Sequence, residues 1–145
     1  MSQILWNPSD ERKNSALITD FMNKLPIDFE SYFDLHKWSI EDMESFWSQF
    51  WDFSNVQYSK NYDSVLENPV MPGAKWFSGS KLNYAENILK KNNLETAIIF
   101  KSENGYKKSL SWKNLNLNVA AISKWLESSG VTKGDRVAAY LPNIP

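Results

Sequence analysis

Apolar residues recur at helical spacing through the first part of this chain and in short continuous runs towards its end. Asn7-Pro8-Ser9-Asp10 has the composition that caps and starts a helix, Pro8 fitting the first turn because its missing N–H is not needed there. Leu17, Ile18, Phe21, Met22 and Leu25 then repeat at helical intervals up to Pro26, which ends the run. The spacing predicts one amphipathic helix. Asp28 is read as the cap of a short second helix bearing Phe29, Tyr32 and Phe33, and Ser39-Ile40-Glu41-Asp42 has capping-box form ahead of a third. On that third helix Ile40, Met43, Phe46, Trp47, Phe50 and Trp51 make a stripe too heavy for a solvated face. It must pack against something sizeable.

From Asn55 to Gly79 the pattern breaks, with Pro69, Pro72, Gly73 and Gly79 punctuating what reads as an irregular connection laid over another surface. A short helix follows, with Asn83 as its cap and Ala85, Ile88 and Leu89 on its inner side. Thr96-Ala97-Ile98-Ile99-Phe100 predicts a buried strand, Asn104-Gly105 a turn, and Tyr106 to Leu110 a returning strand. Ser111 caps a long helix carrying Trp112, Leu115, Val119, Ile122 and Leu126, closed by Gly130. The turn Thr132-Lys133-Gly134-Asp135 leads into a last predicted strand, Arg136-Val137-Ala138-Ala139-Tyr140-Leu141. Strand, helix, strand implies a parallel sheet with helices on both faces, here cut off mid-construction. No internal repeat or low-complexity segment offers another way to complete it.

Composition narrows the function classes. The 145 residues, 42% hydrophobic and 14% aromatic, suffice for a packed core and are unlike a disordered tail. Lys and Arg number 16 against 17 Asp and Glu, for a net charge of -1 with no basic block, which argues against a nucleic-acid partner. No apolar run approaches the roughly 20 residues that cross a bilayer, and Met1 to Asn14 is polar without a signal-peptide core, so no membrane partner and a cytoplasmic location are expected. The absence of Cys excludes disulfides and thiolate chemistry, and a single histidine, His36, excludes a zinc site built on imidazoles.

Several residues invite a chemical reading. The aromatic stripe would serve as a stacking platform, but its spacing is what burial demands, and it reads as core or as a seam. His36 has no Ser, Cys or paired carboxylate pattern beside it and reads as structural. Lys133, Asp135 and Arg136 would suit a phosphate contact, yet a turn that fixes strand entry accounts for them. Glu41, Asp42 and Glu44 would suit a metal, yet near a helix N-terminus they meet the positive end of the dipole. Gly73, Gly79, Gly105, Gly130 and Gly134 are scattered, with neither a P-loop nor a dinucleotide spacing.

Trp38-Ser39-Ile40-Glu41-Asp42, Phe46-Trp47, Trp51-Asp52-Phe53, Trp76-Phe77 with Leu82-Asn83-Tyr84-Ala85-Glu86-Asn87, and Gly134-Asp135-Arg136-Val137-Ala138 with Leu141-Pro142-Asn143 together carry a resemblance. Over Trp6 to Pro145 the chain resembles the N-terminal part of the acetoacetyl-CoA synthetase family, in the acyl-CoA synthetase branch of the adenylate-forming enzymes. The closing motif is common to most of that superfamily. The Leu82 to Asn87 stretch and the Trp51-Asp52-Phe53 region are narrower, and favour acetoacetate over acetate or propionate.

The resemblance implies an α/β fold class, mainly α in this portion: a helical N-terminal extension over 1–90, then over 91–145 the first strand-helix-strand part of an incomplete parallel-sheet adenylation domain. It implies a ligase that joins acetoacetate to CoA through an acyl-adenylate, using ATP and magnesium. The phosphate loop, the adenine and ribose motifs and the mobile C-terminal lysine of that family all come after the matched region. No catalytic, cofactor-binding or metal residue is therefore assigned, no cofactor is expected in this portion, and the chain alone is expected to be inactive. Its partners are expected to be the remainder of its own ligase chain, with acetoacetate, ATP and CoA for the whole enzyme. The alternatives are an acetyl- or propionyl-CoA synthetase portion, or a self-contained aromatic-rich interaction module. Exposed strand edges and the Trp47/Trp51 face are expected to be covered by self-association, or else the helices alone form the core and leave the last strand loosely held.

Overall fold

The computed structural model describes residues 5–145. The chain divides into two compact units, Met1–Asn83 and Tyr84–Pro145. In the first, the predicted opening helix is two: α1 over Asp10–Asn14 and α2 over Leu17–Lys24. Ser9 caps α1 by accepting from the Arg12 amide, and Ala16 is extended, which breaks the helical path between them. Thr19 Oγ1 donates to the Lys13 carbonyl across the break, at 2.7 Å.

The next boundary also differs from the expectation. Ser31, not Asp28, caps α3 (Tyr32–Glu41), and the helix runs on through Ser39 and Ile40. Asp42 is the cap of α4 (Met43–Phe53), its carboxylate accepting from the Ser45 amide at 3.2 Å. Ser39 is thus inside a helix, its hydroxyl donating to the His36 carbonyl.

The stretch expected to be irregular contains a hairpin. β1 (Ser64–Glu67) pairs antiparallel with β2 (Lys75–Ser78), in the register Ser64 to Ser78, Leu66 to Trp76 and Glu67 to Lys75. What holds it is packing with α4. Trp51, buried, lies with its ring centroid 4.5 Å from Phe77 and 5.3 Å from Tyr62, while the Ser48 and Tyr62 hydroxyls hydrogen-bond at 2.9 Å. Trp47 meets Trp76 edge-on at 5.6 Å. The Trp47/Trp51 face is therefore occupied by this unit's own hairpin, which corrects the expectation that a second copy covers it. Phe77 sits at φ 48, a left-handed backbone rare for a bulky residue, and its carbonyl accepts from the Ser80 amide and hydroxyl.

In the second unit, α5 (Tyr84–Ile88) begins directly after Asn83. Leu89 is half-buried, but Ala85 and Ile88 are exposed rather than inward. β3 (Thr96–Lys101) and β4 (Lys107–Ser111) form the expected antiparallel hairpin, with Gly105 at φ 85 in its turn. Ser111 caps α6 (Trp112–Ser128) by accepting from the Asn114 amide, and Gly130 follows at φ 88. The start of α6 is tied back by Trp112 N–H to Glu95 O at 3.0 Å and Asn116 Nδ2 to Lys91 O at 2.6 Å.

The last predicted strand is absent. Arg136 to Leu141 pairs with nothing among the described residues and is exposed throughout. Its composition suits a strand, but a strand exists only where another backbone accepts its hydrogen bonds. Both sheets among the described residues are two-stranded antiparallel pairs, so the parallel sheet is not formed; the architecture is mainly helical with small strand pairs.

Candidate functional site

The largest concavity described lies within the first unit, where α2 crosses α3 and α4. Helical spacing builds it: Leu17 and Phe21 share one face of α2, and Phe46, Phe50 and Phe53 share one face of α4. Phe21, 5% exposed, is the hub. Its ring meets Phe46 at 5.8 Å and Phe50 at 5.7 Å edge-on, and Phe53 at 4.9 Å. These are the edge-to-face arrangements that aromatic quadrupoles favour. The cavity they flank is about 690 Å³, closed on the α3 side by Leu35 and bordered by Tyr32, His36 and Ser39.

The rim is nearly without free charge. Lys24 Nζ contacts Asp20 Oδ2 at 2.8 Å and lies 5.1 Å from the centre of the Phe53 ring. His36 is exposed, with its ring 6.1 Å from that of Tyr32. Such a groove can hold apolar matter and exclude water. It presents no acid-base pair and no nucleophile set in hydrogen-bond reach of one.

The other residues singled out in the sequence lie apart from it. Asp42 is engaged as the α4 cap; the Ser45 hydroxyl first, then the Ser45 amide and Trp38, hold its carboxyl below the usual range. Glu41 faces Lys37 at 3.9 Å along α3. Among the described residues no group of three His, Asp or Glu side chains could hold a metal ion. Asp135 accepts from the Thr132 amide at 2.7 Å and hydroxyl at 3.0 Å, and the amide bond in particular depresses its pKa. Lys133 and Arg136 flank that latch and are exposed. The structure thus accounts for Asp42 and Asp135 as capping and turn groups.

Sequence reasoning saw the α4 stripe but not the groove. Phe46 and Phe50 were visible as a periodic face, whereas the part Phe21 plays depends on α2 reaching α4 across an intervening helix. The heptad-like spacing of Phe46, Phe50 and Phe53 was the available signal.

Residues 32–88, from the start of α3 to the end of α5, match the family described as acetyl-coenzyme A synthetase N-terminus. Over 97% of its length the chain is 34% identical to acetoacetyl-CoA synthetase from Macaca fascicularis, and it spans 22% of that relative. A malonamoyl-CoA synthetase from Penicillium aethiopicum is 29% identical over 97% of the chain, which spans 21% of it. Acetoacetyl-CoA synthetase from Streptomyces lividans superposes with a TM-score of 0.82 at 35% identity, over 99% of this chain and 24% of that one. No helix among the described residues is long and apolar enough to cross a membrane. In sequence and in fold the chain belongs to the acyl-CoA synthetase family and has the N-terminal architecture found in acetoacetyl-CoA synthetases.

Proposed function

We propose that this chain is the N-terminal scaffold of a cytoplasmic acetoacetate–CoA ligase. The observation that carries the reading is the superposition on the Streptomyces lividans enzyme over 99% of the chain. In the reaction we assign to the whole enzyme, the acetoacetate carboxylate attacks the α-phosphate of ATP, forming acetoacetyl-adenylate and releasing pyrophosphate. The sulfur of CoA then attacks the acyl carbon and AMP leaves. Magnesium, when bound, offsets charge on the phosphates.

The residues present do not fit ATP or magnesium. The groove offers aromatic carbon and one Lys24–Asp20 pair, with no row of backbone amides and no cluster of carboxylates. No step is therefore routed through this chain. Its role is to fold ahead of the catalytic parts, and we divide it into a helical extension over 1–90 and the opening of the adenylation domain over 91–145. The exposed apolar lining of the groove suits contact with the remainder of a longer ligase.

The test is a pyrophosphate-release assay on the purified chain with ATP, magnesium, acetoacetate and CoA. No turnover is expected; release in proportion to the amount of this chain overturns the scaffold reading. The acid is tested separately. The similarity to a synthetase named for malonamoyl-CoA favours a second reading, in which this region is common to ligases of several short acids. Adenylation rates of the longest natural form with acetoacetate, acetate and propionate decide between them.

A further inference from the structure

Asn104 is the only asparagine of the sequence followed by glycine. It lies in the β3–β4 turn, where both residues are exposed and Gly105 leaves the space around its Cα open, with nothing within 4 Å of where a Cβ would stand. The turn also does something specific to the Asn104 amide. Its Oδ1 accepts from the Tyr106 backbone N–H at 3.2 Å and from the Ser102 hydroxyl, a second and shorter contact. Two donors thus converge on the oxygen that gains negative charge if the side-chain carbonyl carbon is attacked, the arrangement of an oxyanion hole.

We propose that Asn104 is a site of spontaneous deamidation, promoted by the Ser102 hydroxyl and the Tyr106 amide. The nucleophile is the Gly105 backbone nitrogen. It must first release the Ser102 carbonyl, to which it donates at 3.1 Å, and a single exposed turn bond is all that restrains it. A bond forms between the Gly105 nitrogen and Cγ of Asn104 while Cγ–Nδ2 breaks, the Gly105 proton leaving with the amine as ammonia. Water then opens the five-membered imide at either carbonyl, giving aspartate or isoaspartate. No oxidant or further reactant is needed.

The product carries a new negative charge at the end of a hairpin where Lys101 and Lys107 stand directly opposite each other. Neither lysine has an acidic partner among the described residues. Like charges placed opposite across strands disfavour pairing. Neutralising them gives the aspartate product a hairpin at least as well held as the parent, whereas isoaspartate lengthens the turn backbone by one carbon.

The experiment follows the intact chain at mildly alkaline pH by peptide mapping and isoaspartate-specific methyl transfer. Isoaspartate is expected at position 104 before any other asparagine, including exposed Asn14, which precedes Ser15. Ser102→Ala should slow it by about tenfold, short of the roughly 10²–10³ lost with one donor in a water-excluded enzyme site. Ser102→Thr, which keeps the hydroxyl, should restore the rate. Isoaspartate appearing first elsewhere, or an unchanged or faster rate in Ser102→Ala, overturns the proposal. Because Ser102→Ala could loosen the turn, hairpin amide exchange is measured alongside; loosening predicts faster modification, the opposite sign.

Discussion

Gly79→Ala tests how tightly the β1–β2 hairpin is closed. Gly79 sits at φ 83, and a Cβ there would stand 2.0 Å from Asp63 Oδ2, 2.7 Å from its Cγ and 3.2 Å from its Cβ. Asp63 is not free to swing away. Its amide donates to Ser78 O at 2.8 Å, and its carboxylate accepts from Lys60 Nζ at 2.8 Å. The left-handed backbone alone costs alanine about 1–2 kcal/mol. Loss of unfolded-state freedom returns about 0.4–1 kcal/mol of that. Forcing Asp63 off its rotamer adds about 0.5–1.5 kcal/mol. A net loss of about 1–3 kcal/mol is expected, read as a fall in urea midpoint by tryptophan fluorescence with the slope unchanged.

Two comparisons isolate the causes. Gly130→Ala has a similar φ of 88 and no atom within 4 Å, so it reports the backbone contribution alone. Asp63→Ala combined with Gly79→Ala removes the two closest clashing atoms and should recover the difference, giving a coupling of about 0.5–1.5 kcal/mol in a double-mutant cycle. Strict additivity, or a Gly79→Ala midpoint no lower than that of Gly130→Ala, refutes the reasoning.

Other outcomes follow from the packing and the caps. Trp51→Ala should cost about 3–5 kcal/mol, the range for a buried large aromatic, and abolish cooperative unfolding of the first unit. Ser111→Ala removes the accepted Asn114 amide bond and should cost about 1 kcal/mol, seen as lost helical ellipticity and faster exchange in the first turn of α6. Asp42 has a folded pKa below its ordinary 3.8, so its contribution is fully present above that value and is lost as pH falls through the depressed folded one. Asp42→Asn should flatten that acid limb in pH-dependent denaturation, and an unchanged limb counts against the cap.

Much of the second unit was legible because its signals are local. Ser111 and Gly130 bracket α6 by cap chemistry alone, and Asn104-Gly105 sets its own turn. The first unit hid more. β1 and β2 are four residues each and flank Pro69, Pro72 and Gly73, so neither shows an alternation long enough to read; they persist because Trp51 and Tyr62 pack against Phe77. Asp28 looked like a cap, but Ser31 won because its hydroxyl also meets the Asp34 carboxylate at 2.7 Å. Arg136–Leu141 failed in the other direction, its pattern correct for a strand whose hydrogen-bond partner no local rule supplies. The groove was the least legible feature, since it needs three helices at once.

The Thr132–Asp135 latch has a consequence for that final stretch. Two donors on one carboxylate oxygen fix the direction in which backbone leaves the turn, although nothing yet lies beside it. An incoming strand would find Arg136 already heading the right way and would have only the residues beyond to align, so most of the orientational search is completed in advance by a four-residue turn.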